Sequence, residues 1–264
     1  DGIYILACQH ILEPQAKMLE ILNEYGIPKE NMIIFGKIYS TSNEVLNEMS
    51  LKDFNVSQAG FNPNISFDTQ QLENCEREFN NFVKHIKNPT KIIIMDDGGE
   101  LLKTVNNNFN LIDKSIPIIG VEQTSSGFRK LENSEIHFPI FNVARSNLKL
   151  VKESPIIADL GCRRVLETLE KYKIKEPKIL VVGLGPIGNN MNLILKGKGY
   201  CVLGYDTAHH DEEDLVELIK SNNINIIIGA SGSNILDEAG IDLLIKESRK
   251  NIYLISMSSS DREF

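Results

Sequence analysis

Residues 181–190 read VVGLGPIGNN, and the fold turns on whether Gly183, Gly185 and Gly188 hold a phosphate or only let a strand turn tightly into a helix. In a dinucleotide-binding turn the first glycine permits the tight bend, the second lets a pyrophosphate approach the backbone, and the third lets the helix pack against the strand. The helix N-terminus adds N–H groups and a partial positive charge. Ordinary turns share this spacing, so the motif needs company. KILVV before it reads as a strand, NNMNLILKGKG after it as a helix, and Asp206 ends YCVLGYD eighteen residues beyond Gly188. A carboxylate there accepts hydrogen bonds from adenosine ribose hydroxyls and repels a 2′-phosphate, and no arginine follows it, so the pattern favours NAD over NADP. Gly183, Gly185, Pro186, Ile187, Gly188 and Asp206 are the expected cofactor-binding residues.

Outside the loop, 264 residues suit two α/β domains better than one. A hydrophobic share of 42% with 24% charged residues builds a packed core. The formal charge of −8, with no cluster of lysine and arginine, offers no footprint for nucleic acid or anionic lipid, so neither is an expected partner. Cys8, Cys75, Cys162 and Cys201 lack CxxC spacing; neither a metal site nor a disulfide framework is expected, and a reducing cytoplasm fits. No run of ~18 apolar residues occurs. The chain begins on a strand-like GIYILA and ends at SSSDREF just past another strand, so missing segments are expected at both ends.

Short β-branched runs alternate with helical patterns: IYIL at 3–6, MIIFGK at 32–37, KIIIMDD at 91–97 and IPIIGVE at 116–122, with helices expected over 14–26 and from 67, where Asp68 is a candidate N-cap. Residues 50–67 read as an irregular connection. A second βα series runs from Lys178 to the end, joined to the first by a helix within SPIIADLGCRRVLETLEKYK. The expected fold class is α/β: a flavodoxin-like parallel-sheet substrate domain over 1–153, then a Rossmann-type NAD-binding domain over 154–264, with a hinge helix at its start and its C-terminal end incomplete.

Five stretches carry a family resemblance: ACQHILEPQAKMLEIL (7–22), IIIMDDGGELL (92–102), GVEQTSSGF (120–128), FPIFNVARSNLK (138–149) and LGCRRVLE (160–167), followed by the glycine loop. In this order they resemble S-adenosylhomocysteine hydrolase from about Cys8 to Glu263, with the paired aspartates and the Gly161–Cys162 step the most specific parts. The resemblance implies a homo-oligomeric, NAD-dependent enzyme closing on an adenosyl thioether or related nucleoside. In that chemistry NAD oxidises the ribose 3′-hydroxyl, the C4′ proton becomes acidic, the thiol leaves C5′ and water adds. Residue by residue, His10 falls on a histidine near the leaving group, Asp97 on the C4′ proton-transfer aspartate and Lys149 on a lysine that helps deprotonate the 3′-hydroxyl. Thr124, Ser125 and Ser126 fall on a trio touching the nicotinamide half of NAD, and Cys162 on a cysteine beside that ring. The ribose-binding glutamate is replaced by Gln123, with Glu122 next to it as the other substrate-binding candidate. Leu12, Ala144, Arg145, Ile157, Ala158 and Ser259 also depart from the pattern. An amide in place of a ribose-gripping carboxylate loses charge-assisted hydrogen bonds, which points to an altered substrate, an altered reaction or no turnover.

Plainer readings stand beside these. His10 also reads as a satisfied polar residue at a strand end, DDGGE as a capping turn, Lys149 as a solvated lysine and Cys162 as a small buried hydrophobe. His209 and His210 read as loop before an acidic helix start. Two rival functions remain open: a non-catalytic NAD- or nucleoside-binding regulator, and a 2-hydroxyacid-type dehydrogenase, for which GASGSN at 229–234 supplies no arginine.

Overall fold

The structure, a computed structural model, describes residues 2–58, 60–206, 215–247, 251–258 and 263–264. Its contacts divide the chain into two compact units, Asp1–Ser146 and Asn147–Phe264. The division falls seven residues before the boundary read from sequence and assigns Lys149 to the second unit.

The first unit runs β1 (Ile3–Ile11), α1 (Glu13–Glu24), β2 (Met32–Thr41), α2 (Asn43–Leu51), β3 (Asn55–Ser57), α3 (Phe67–His85), β4 (Lys91–Asp96), α4 (Glu100–Asn107), β5 (Ile118–Glu122), α5 (Ser125–Leu131) and β6 (Ile140–Asn142). The strands form one parallel sheet in the order β3-β2-β1-β4-β5-β6. Continuous apolar runs suit strands covered on both faces. Leu6, Cys8, Phe35, Ile92 and Ile94 pack under Phe79 and Phe82 of α3 and Leu101 and Val105 of α4. Their alternate neighbours Ile5, Ala7, Ile11 and Ile34 pack with Leu19 of α1 and Met49 of α2 on the other face.

Two expectations are corrected here. Leaving out β3, the order matches the flavodoxin-like pattern, but β3 adds a sixth strand inside the stretch read as irregular, pairing Asn55 to Ser57 with Ile33 to Phe35. Three polar-flanked residues show too little alternation to be read as a strand; the β2 edge supplies the pairing. At α3 the cap is Ser66, whose hydroxyl accepts from Thr69 N–H, and Asp68 lies in the first turn.

In the second unit a π-helical turn, Lys149–Glu153, leads into α6 (Ser154–Lys171), followed by β7 (Lys178–Val182), α7 (Pro186–Gly197), β8 (Cys201–Tyr205), α8 (Leu215–Ser221), β9 (Ile226–Gly229), α9 (Glu238–Glu247) and β10 (Tyr253–Ser256). The parallel order is β10-β9-β7-β8. Ala158, Cys162 and Val165 of α6 and Met191 and Leu195 of α7 cover one face. Val216 and Ile219 of α8 and Leu244 of α9 cover the other. Both sheets are doubly wound, so each has a point where the strand order reverses: β1 against β4 in the first unit, β7 against β9 in the second. Ligands of such sheets bind outside the carboxyl ends of the strands at that point. Among the described residues no helix is long and apolar enough to cross a membrane.

Candidate functional site

The glycine loop of the second unit sits at its reversal point, and its three glycines have separate physical jobs. Gly183 has φ +93°, and a Cβ there would lie 2.5 Å from Ser231 N in the loop after β9. A Cβ on Gly188 would run into the Gly183 carbonyl. A Cβ on Gly185 would meet nothing within 4 Å. Two glycines are therefore required by the protein's own packing, while the second faces open space. It is also the N-cap of α7, where no side chain caps the helix and Pro186 occupies the start. Asp206 lies beside this turn, with Oδ2 accepting from Leu184 N–H at 2.5 Å.

Of the other residues expected near a cofactor, Cys162 is wholly buried in the packing of α6 on α7, its thiol 3.8 Å from the Met191 carbonyl. Burial, then the charge of Asp159, pushes its pKa up to about 11, so it is a protonated thiol. A Cβ on Gly161 beside it would lie 2.5 Å from Met257 Cε, the end of a flexible side chain. Lys149 Nζ lies 3.7 Å from Glu153 Oε1, one turn on. Ser259, His209 and His210 fall outside the described residues.

The first unit gathers a polar cluster at its own reversal point. His10, at the end of β1, places Nε2 3.3 Å from Asp97 Oδ1, just past β4. Its ring meets Tyr39 edge-on at 5.8 Å, and its Nδ1 is buried without a hydrogen-bond partner. Lys37 of β2, only 6% exposed, places Nζ 3.6 Å from the same Asp97 oxygen. Burial alone would lower the pKa of that ammonium, but Cys8, Asp97, Tyr39 and Asp96 around it outweigh burial and hold it above the ordinary lysine value. Beside His10, Gln9 is fully buried with neither amide atom partnered.

Behind the cluster, Glu122 ends β5. Its Oε1 accepts from Gly98 N–H at 3.1 Å, Thr124 N–H at 2.8 Å and the Thr124 hydroxyl at 2.7 Å. The Thr124 oxygen in turn accepts from Gly127 N–H, capping α5, and from the Ser126 hydroxyl. Ser125 is exposed. Gln123 turns away from Glu122, its Nε2 3.9 Å from Met18 Sδ on α1.

The structure thus brings His10 and Asp97 together, sets Glu122 and Thr124 behind them, and puts the Gln123 amide on the opposite side of the sheet. Sequence reasoning missed Lys37 and Asp96. The available signal was a lysine closing the apolar run MIIFGK, since lysine almost never sits in a buried strand unless paired. Among the described residues no three His, Cys, Asp or Glu side chains form a group able to hold a metal ion.

No family model matches the chain. Over 270 aligned residues the whole chain is 33% identical to an uncharacterized protein of Mycobacterium tuberculosis, of which it covers 52%. Half of the chain, over 135 residues, is 28% identical to adenosylhomocysteinase of Thermoplasma volcanium, covering 32% of that protein. Among solved structures, the A chain of dipicolinate synthase from Bacillus subtilis overlays 97% of this chain and 88% of its own at 11% identity with a TM-score of 0.44, too low to argue ligand or reaction. The chain spans about half the length of the curated mycobacterial relative it matches throughout, and it is similar to adenosylhomocysteinase over half of its own length.

Proposed function

We propose that the chain binds NAD in its second unit and an adenosyl thioether or related nucleoside in its first, and works as an adenosylhomocysteinase-like enzyme through transient 3′ oxidation and elimination. The observation that carries this reading is the His10–Asp97 contact at 3.3 Å, at the sheet reversal point of the first unit. Dinucleotide binding is supported by the loop: α7 lacks a side-chain cap, the space over Gly185 is open, and the N–H groups of Ile187 and Gly188 lie in the helix's first turn, where a pyrophosphate is received. Asp206 takes the adenosine ribose hydroxyls. When bound, NAD supplies the hydride acceptor and donor that oxidation of an alcohol and its reversal require.

The chain's own residues supply the proton movements. Asp97 Oδ1 receives the C4′ proton, and His10 Nε2 gives a proton to the departing sulfur; their contact lets one proton serve both. Lys37 holds Asp97 from the other side. The unpartnered His10 Nδ1 is a group a polar ligand satisfies.

A second reading, nucleoside and NAD binding without turnover, is favoured by one observation: Gln123, where the resemblance places a ribose-gripping carboxylate, directs its amide to Met18. Titration calorimetry and absorbance on the chain separate the two. NAD is expected to bind, and adenosine to raise the near-ultraviolet band of reduced nicotinamide. Asp97→Asn is expected to keep NAD binding and slow C4′ proton exchange by roughly 100-fold or more. Binding of both ligands with no absorbance change selects the second reading. No NAD binding at saturating concentration removes both.

A further inference from the structure

We propose that Asp96 and Glu122 form a buried carboxyl pair holding one proton between them, and that this pair positions the two loops carrying Asp97 and Thr124. The two residues are partners in the β4–β5 ladder, and both have no exposed surface. Adjacent strands lie about 4.8 Å apart, and ladder partners project to the same face. Each carboxyl group uses one oxygen locally. Glu122 Oε1 takes Gly98 N–H, Thr124 N–H and the Thr124 hydroxyl, and Asp96 Oδ2 takes Leu102 N–H of α4 at 2.9 Å. The other oxygens, Asp96 Oδ1 and Glu122 Oε2, are buried with no hydrogen-bond partner.

The groups facing the pair do not supply one. Lys37 from β2 contacts Asp97, the thiol of Cys8 from β1 lies against Cys75, and Asp97 is itself an acid. The α4 helix contributes only the Leu102 N–H, and the α5 cap contributes Thr124, already bonded to the first oxygen. Packing is close, since a Cβ on Gly127 would run into the Glu122 carboxylate. Two neighbouring buried carboxylates cannot both stay ionised at ordinary cost, and a single proton joins the two unpartnered oxygens. Burial, then the charge of Glu122, raises Asp96 to about 7, and burial raises Glu122 as well.

A carboxyl group whose folded pKa is raised stabilises the fold below its unfolded value, here 3.8, and loses that stability as pH climbs toward about 7. The test uses the full chain without cofactor or nucleoside, so it stands or falls apart from the proposed function. In carboxyl-selective carbon NMR or infrared spectra, one protonated carboxyl group per chain is expected midway through that pH window. The Gly98 and Thr124 amide resonances are expected to shift with the same midpoint as this group. Asp96→Asn keeps an acceptor for Leu102 N–H, and is expected to abolish the signal and flatten the fall in melting temperature. A wild-type spectrum with every carboxyl ionised in that window overturns the pair without any variant. So does a neutral carboxyl signal that survives both Asp96→Asn and Glu122→Gln.

Discussion

Lys37→Met is expected to destabilise the first unit by about 3 kcal/mol, because it strips a buried cation from Asp97 and leaves that carboxylate less well compensated. Lys37 is 6% exposed and Asp97 lies 3.6 Å from its ammonium. Methionine fills the stem's volume, so the loss is electrostatic and not a cavity. Adding Asp97→Asn removes that carboxylate's charge, and the double variant is expected to recover most of the loss, the coupling that separates a paired charge from two independent substitutions. Arginine is not expected to rescue: a Cβ on Gly98 would already lie 2.5 Å from Lys37 Nζ, so the larger guanidinium meets backbone. Calorimetric unfolding at neutral pH reads all three, and a Lys37→Met chain within about 0.5 kcal/mol of wild type would show the pair to be solvated and weak.

Lys37 also shows where reading from sequence stops. Its strand was legible because MIIF is a continuous apolar run covered on both faces. The direction of its side chain was not, because pairing between β1 and β2 slips after Gln9↔Gly36 and resumes at Ile11↔Thr41. Residues 37–40 bulge from the ladder, closed by the Thr41 hydroxyl donating to the Lys37 carbonyl at 3.2 Å. A bulge re-aims side chains and leaves no periodic trace. For the neighbouring pair Glu122 and Gln123, strand alternation decides which of the two points where, and adjacent residues face opposite sides. Glu122 therefore anchors the Gly98 and Thr124 loops, and the position matched by resemblance, Gln123, meets Met18 of α1. The glycine loop was legible for the converse reason: its constraints are local, fixed by one turn and the helix it opens.

That locality sets up a contrast between two substitutions of the same size. Gly188→Ala puts a methyl group into the Gly183 carbonyl, a backbone atom already packed beside the loop after β9. Backbone cannot step aside as a side chain does, so the second unit is expected to lose about 3 kcal/mol by overpacking. Gly185→Ala adds the same methyl group where nothing lies within 4 Å, at an N-cap with φ −63°, an ordinary angle for alanine. Folding is expected to change by less than about 0.5 kcal/mol there. If the open space over Gly185 is where a pyrophosphate meets the backbone, the methyl group holds it off the α7 N-terminus. NAD affinity is then expected to fall roughly 100-fold, about 2.8 kcal/mol. Thermal unfolding and NAD titration on the two variants give four numbers, and the pattern matters more than any one of them. A Gly185→Ala chain that is stable and binds NAD like wild type would mean that the glycines serve only the turn and that the dinucleotide assignment of the second unit is mistaken.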